Sequence, residues 1–387
     1  MFLRTFGASI VIAIVGLVLG WIYGGGTGLA LTAILAVLEV SLSFDNAVVN
    51  ATVLVRMSPF WQKLFLTLGV AIAVFGMRLV FPLAIVSISA KRSPIDAVRL
   101  ALEKGDPDKA GTYGYLLHQA HPAIAAFGGM FLLMLFLDFV FEERELTWLS
   151  WIERPLARIG KLDQLSVVIA LAVLAVSAYT LGESADTSQR DRTSTILVAG
   201  VLGLATYLLV NGLGEFFDEG GDDAGSDEAD PDAVAEAQAE AAAKRKTRQH
   251  VVGRAAFFLF LYLEVLDASF SFDGVIGAFA ITSDPIIIAI GLGVGAMFIR
   301  SLTVFLVRKG TLSEYEYLEH GALWAIGALA IILLITIEYE VPEVVTGLVG
   351  VAFIGAALVS SIVRNRRGGG DDDAAATIEG GRTAAAV

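Results

Sequence analysis

The sequence predicts an all-α, polytopic transmembrane helical bundle of about ten spans. Three observations predict it. The chain of 387 residues is 56% hydrophobic, with a mean hydropathy of +0.72. Only 17% of its residues are charged, against about 25% in soluble domains. The apolar residues also fall in long blocks, and about 20 of them in a row are what a helix needs to cross a bilayer core.

Ten blocks qualify: 6–23, 29–55, 63–90, 122–141, 164–181, 194–216, 251–282, 285–307, 320–337 and 342–363. The first reads as a retained span, because no small-residue cleavage site follows it and the next block begins at once. Gly24-Gly25-Gly26 reads as the tight loop between them; without a following Lys-Ser/Thr it is no phosphate cradle. The second, third and seventh blocks are long enough to be tilted or broken. Residues 91–121 read as a long loop. Trp148–Lys161 mixes Trp, Leu and Ile with Arg and Lys, the composition of a helix lying in the membrane interface.

Charge placement orients the bundle. Taking alternate loops, 18 Lys and Arg residues fall on the side of both termini and 7 on the other, with Arg78 and Arg300 inside spans. The positive-inside rule then places both termini in the cytoplasm. The formal net charge is −13, and much of the excess acid lies in Asp218–Asp232 and Asp371–Asp373. Such runs read as solvated and disordered. The expected division is a first half (1–217), an acidic cytoplasmic linker (218–249), a second half (250–365) and a disordered tail (366–387). The basic residues Lys244-Arg245-Lys246, Arg248 and Arg254 sit beside a span and suit anionic lipid better than nucleic acid.

One motif occurs twice. Leu38-Glu39-Val40-Ser41-Leu42-Ser43-Phe44-Asp45 matches Leu266-Asp267-Ala268-Ser269-Phe270-Ser271-Phe272-Asp273, identical at five of eight positions. Each copy is followed by a span that contains Leu-Gly-Val (68–70 and 292–294) and one arginine, Arg78 or Arg300. The copies lie in the second and seventh spans and so enter the membrane in opposite directions. A 5+5 inverted repeat is the expectation, an arrangement in which many secondary transporters place their site at the repeat interface.

Carboxylates inside a membrane are costly and usually face a cavity or a partner. Glu39, Asp45, Asp267 and Asp273 set against Arg78 and Arg300 leave about −2, or −3 with Glu264. A divalent cation or protons would neutralise that excess. At about 100° per residue, Glu39, Ser43, Asn46 and Asn50 share one helical stripe, and Ser41 with Asp45 lie about 120° away. Glu264, Asp267 and Ser271 share a stripe in the second copy. For both stripes to face one cavity, one or both motif helices should be wide-facing or broken near Asp45 and Asp273. Gly274 stands where the first copy has Asn46, which removes an amide oxygen from the second.

The available ligands are oxygens, which suit hard cations such as Mg²⁺, Ca²⁺ or Mn²⁺. With no cysteine, disulfides, thiolate metal sites and a cysteine nucleophile are excluded. The four histidines, His118, His121, His250 and His320, fall at or near expected loops, which disfavours a His-rich zinc or copper centre. Glu338, Glu340 and Glu343 read as a solvated acidic turn. Tyr179, Tyr207 and Tyr262 read as packing or interface anchors.

At Glu39 with Ser43-Phe44-Asp45-Asn46, and at Asp267 with Ser271-Phe272-Asp273-Gly274, each followed by an Arg-bearing span, the chain resembles the TerC family of integral membrane proteins. It is most similar to a long branch of unknown function. The resemblance covers 30–90 and 250–365 well. It implies metal-cation efflux of the manganese class, with relatives in calcium or proton-coupled cation transport and a historical link to tellurium resistance. Carried over by position, Glu39, Asp45, Asn46, Asp267 and Asp273 form the metal set, supported by Glu264, Ser43, Ser271, Arg78 and Arg300. The 91–121 and 218–249 segments depart from compact relatives.

Three readings compete. The first is a non-enzymatic divalent-cation exporter in the cell membrane, with proton antiport as a natural coupling. Its partners are the bilayer and the transported cation, with homo-oligomerisation left open and no nucleic acid. The second is an intramembrane aspartyl protease, disfavoured by the absence of Gly-x-Gly-Asp and by the extra Glu and Arg residues. The third is a non-transporting scaffold or metal- or tellurite-stress subunit whose acids form static ion pairs.

Overall fold

The fold is taken from a computed structural model, which describes residues 2–69, 71–106, 108–144, 146–162, 164–181, 189–219, 251–309, 315–339 and 341–384. Within these ranges some side chains, including those of Asp45 and Asp273, fall outside the description. The acidic linker is also outside the described residues, apart from its first residues at the end of α9.

The described chain is helical, and its β content is one isolated bridge between Met57 and Val251. The helices are α1 (Phe2–Leu42), α2 (Phe44–Leu54), α3 (Pro59–Leu64), two π-helical stretches (Phe65–Gly69 and Ile72–Val80), α4 (Phe81–Ser89), α5 (Pro94–Leu102), α6 (Tyr113–Phe141), α7 (Ser150–Ile159), α8 (Leu165–Leu181), α9 (Gln189–Glu219), α10 (Gly253–Ile281), α11 (Pro285–Lys309), α12 (Leu318–Thr336) and α13 (Glu343–Ala384). Among the described residues, seven helical segments are long and apolar enough to cross a membrane, and Leu165–Thr180 is a shorter apolar one. The chain is therefore a polytopic helical membrane protein. Each of the ten expected spans falls on helix. Six precede the acidic linker and four follow it, so the linker does not mark the midpoint of the repeat.

The candidate span Thr5–Leu42 is a hairpin. Gly24 (φ −125°, ψ 15°) and Gly25 (φ 59°, ψ −146°) leave helical geometry, and Gly25 adopts the positive φ that glycine tolerates. Beyond them Thr32 Oγ1 lies 2.4 Å from where a Cβ on Gly20 would be. In a straight helix those residues would stand about 18 Å apart. The α11 helix lies along both arms. Ser9 Oγ donates to the Met297 carbonyl at 2.6 Å and lies 2.7 Å from Ser301 Oγ, while Gly291 meets Leu35 and Gly295 meets Glu39. It thus runs antiparallel to the first arm and parallel to the second.

The second motif helix has the matching arrangement on the third span. Along α10, Phe257 meets Trp61, Phe260 meets Phe65 and Glu264 meets Gly69, again in parallel. Each motif helix therefore packs on the Arg-bearing span of the opposite half. The two motif helices cross antiparallel. Glu39 reaches Gly274, and Asn46 reaches Asp267. The motif aligns Glu39 with Asp267 and Asn46 with Gly274, so exchanging the copies turns one contact into the other. That is the signature of a local two-fold relation. The ends agree, since Val251 N–H donates to the Arg56 carbonyl at 2.8 Å and its own carbonyl accepts from Ser58 N at 3.1 Å. The start of α10 thus lies beside the end of α2.

Two expectations need correcting. Residues 91–121 are not a loop: Ser93 caps α5, its Oγ accepting from Asp96 N, and Thr112 caps α6, which begins nine residues before the expected span. His118 and His121 therefore lie within α6, stacked at 6.3 Å between ring centroids, and His320 is buried in α12. The backbone of α13 is helical as far as Ala384; its side chains beyond residue 366 are outside the description.

Candidate functional site

The first motif helix is broken. α1 ends at Leu42 and α2 begins at Phe44, with Ser43 between them at φ −100°, ψ 15°. The break falls two residues before Asp45, one of the two arrangements, wide-facing or broken, that the helical angles lead one to expect. The second copy is not broken, for α10 runs continuously through Asp273.

The break, the π-helical third span, α10 and α11 enclose a cavity of about 40 Å³, room for roughly two or three waters. Its polar lining is Glu39, Ser43, Asn46 and Asn50 from the first motif, Arg78, Glu264 and Asp267, and Arg300 with Thr303. The whole predicted stripe of the first motif faces it. In the second motif Glu264 and Asp267 face it, while Ser271 is buried outside the lining. The expected set is thus brought together except for Ser271 and for Asp45 and Asp273, whose side chains lie outside the described residues.

Glu39 is engaged through one of its two oxygens. Arg78 Nη2 and Ser43 Oγ both donate to its Oε1, the latter at 2.9 Å, and Arg78 Nη1 donates to the Ala73 carbonyl at 2.6 Å. Asn46 Nδ2 donates to Asp267 Oδ1 at 2.7 Å. Arg300 Nε donates to the Leu66 carbonyl at 2.5 Å. Both guanidiniums thus rest on carbonyls of the two π-helical stretches. A π turn disturbs the i→i−4 ladder, and such turns occur mainly at functional sites.

Three lining oxygens have no hydrogen-bond partner among the described residues: Asn50 Oδ1, Glu264 Oε1 and Asp267 Oδ2. Outside the lining, the hydroxyl oxygens of Ser271, Ser87 and Thr32 are buried in the same condition. An unsatisfied buried acceptor costs about 1–3 kcal/mol, and a charged one more. With all three lining carboxylates ionised, the two guanidiniums leave a formal charge of −1. A cation would satisfy both the charge and the oxygens. Among the described residues, no three His, Asp or Glu side chains are close enough to hold a metal ion by themselves, so amide or hydroxyl oxygens would have to share the task.

Some features escaped the sequence. Asn50 lay on the stripe but outside the expected ligand set. Asp138, a further acid within α6, accepts from Tyr207 Oη at 2.8 Å, so Tyr207 has a polar role beyond packing. The test applied to the motif acids, a carboxylate inside an apolar block, would have found it. The π-helical stretches left no composition signal. Glu338, read as a solvated turn residue, pairs with Arg192 at 2.9 Å.

No curated protein and no solved structure matches the chain. A family match extends over residues 44–368 and so takes in the cavity lining except for Glu39 and Ser43, which precede it. With most of its length covered, the chain belongs to the family described as proteins of unknown function, DUF475.

Proposed function

We propose that this chain is a cell-membrane transporter for a divalent cation of the manganese or calcium class, with its binding site in the cavity between the two motif helices. One observation carries the reading: three buried acceptor oxygens without hydrogen-bond partners among the described residues face a single small cavity lined by three carboxylates. Asp267, Glu264 and Asn50 are the ligands best supported, with Asn46 orienting Asp267. The resemblance to TerC proteins supports adding Asp45 and Asp273 and supports export as the direction. The antiparallel crossing of the motif helices is the geometry from which alternating access is built in inverted-repeat transporters. Metal binding to carboxylates displaces protons, so proton exchange is the natural coupling. The excess of Lys and Arg on one side supports cytoplasmic termini.

The scaffold reading draws on the Glu39–Arg78 ion pair, which a static network would also contain. Flux separates the two. Wild-type protein in proteoliposomes should carry Mn²⁺ or Ca²⁺, and Asp267→Asn should lower that flux at least tenfold. Equal flux in both would remove Asp267 from the site. No flux in wild type would favour the scaffold.

A further inference from the structure

We infer that Arg78 is a tethered counter-ion that occupies Glu39 in the empty site and is displaced from it by the cargo cation. The inference rests on the transport reading and deepens it, since it says how the site is regulated. Four observations carry it. First, the cavity holds two kinds of carboxylate. Glu39 is already neutralised by the buried Arg78 guanidinium, while Glu264 and Asp267 each keep an oxygen without a hydrogen-bond partner among the described residues.

Second, the two halves are unequal at their arginines. Arg78 lies on the carboxylate of its own copy, but its counterpart Arg300 rests on the Leu66 carbonyl. One arginine is engaged with a carboxylate and the other is parked on a carbonyl, the asymmetry from which an exchange would start. Third, Arg78 is carried by a π-helical segment, Ile72–Val80, whereas the matching helix α11 is regular. A π turn can be expelled from a helix, which rotates the residues after it by about 100°, one residue's worth. Fourth, Arg78 is incompletely held: its Nε is buried with no hydrogen-bond partner among the described residues, although a guanidinium offers five N–H donors.

In this scheme a cation arriving at Asp267 and Glu264 competes with the guanidinium for Glu39. Arg78 leaves with its segment as Glu39 turns to the cation. Glu39 is then never left uncompensated, and the empty transporter carries its own cation.

The test is Mn²⁺ binding to purified full-length protein, by calorimetry, in a double-mutant cycle of Arg78→Gln and Glu39→Gln. Arg78→Gln should tighten Mn²⁺ by roughly tenfold, within the usual range of coupling between sites, while slowing flux. In the Glu39→Gln background the same change should have no effect. Equal tightening in both backgrounds would show only the loss of a nearby positive charge and overturn displacement. Unchanged or weaker binding in Arg78→Gln would also overturn it and leave the transport reading standing. Absence of Mn²⁺ binding in wild type would overturn both. Should Arg78→Gln fail to fold, wild type alone decides: Mn²⁺ should change hydrogen exchange across residues 72–80, and an unchanged pattern there with Mn²⁺ bound overturns the proposal.

Discussion

Gly274 shows how one residue divides the labour between two similar motifs. In the first copy its place is taken by Asn46, which donates to Asp267. In the second, a Cβ would lie 3.3 Å from Glu39 Oε2. The glycine is therefore more than a lost amide oxygen, because it leaves room for the opposite carboxylate. Gly69 does the same for Glu264, whose Oε1 would lie 2.5 Å from an added Cβ. At Gly295 the neighbours include backbone: a Cβ would meet Glu39 Cβ at 2.4 Å and the Ala36 carbonyl oxygen at 2.8 Å. Gly295→Ala should destabilise the fold by about 1–3 kcal/mol, as overpacked sites do. A lower thermal midpoint in detergent checks it, and an unchanged midpoint would mean that α1 and α11 separate freely.

Among the elements, α7 is the best-defined piece outside the bundle. Trp151 is exposed, as an interface anchor should be, while Glu153 is buried and ties the helix down. Its carboxylate accepts from Trp148 N at 3.0 Å, Leu149 N at 3.2 Å and Trp324 Nε1 at 3.0 Å, and His320 Nδ1 lies 3.5 Å away. Burial alone would raise its pKa, but the contacts with His320, Trp324 and the Leu149 N–H outweigh that and lower it from 4.5 to about 2. A depressed carboxylate contributes stability above its unfolded pKa and loses it as pH falls through the folded value. Docking of α7 should therefore be constant from neutral pH to about 5 and weaken between 4.5 and about 2. Tryptophan fluorescence of wild type against Glu153→Gln should show that acid transition in the first only.

For the whole molecule, the interleaving of the halves is the governing fact. Each motif helix is held by the Arg-bearing span of the other half, so neither half closes the cavity alone. Opposite insertion of the two copies follows from their antiparallel crossing. It can be checked simply because the chain contains no cysteine. Ser58→Cys and Ser283→Cys, at opposite ends of the crossing, should react with impermeant maleimide from opposite faces of the membrane, Ser58→Cys from the cytoplasmic one. Labelling of both from one face would break the two-fold arrangement.

The sequence by itself determined the helices and the repeat, and it singled out the acids. Apolar blocks of bilayer length can be little else, and acids within them are too costly to be incidental. It also determined which stripe of the first motif faces inward, because 3.6 residues per turn is a local property. Where it erred, the signal was weak for a physical reason. The α5 helix and the start of α6 are too polar to read as span and carry only their capping residues, Ser93 and Thr112, as notice. Only the tertiary structure decided that Glu39 is held by Arg78, that Arg300 rests on the third span, and that three oxygens of Asn50, Glu264 and Asp267 are left facing the cavity. Those pairings join residues as many as 234 positions apart. They depend on how helices of opposite halves interleave and on a π-helical distortion that leaves no mark in composition.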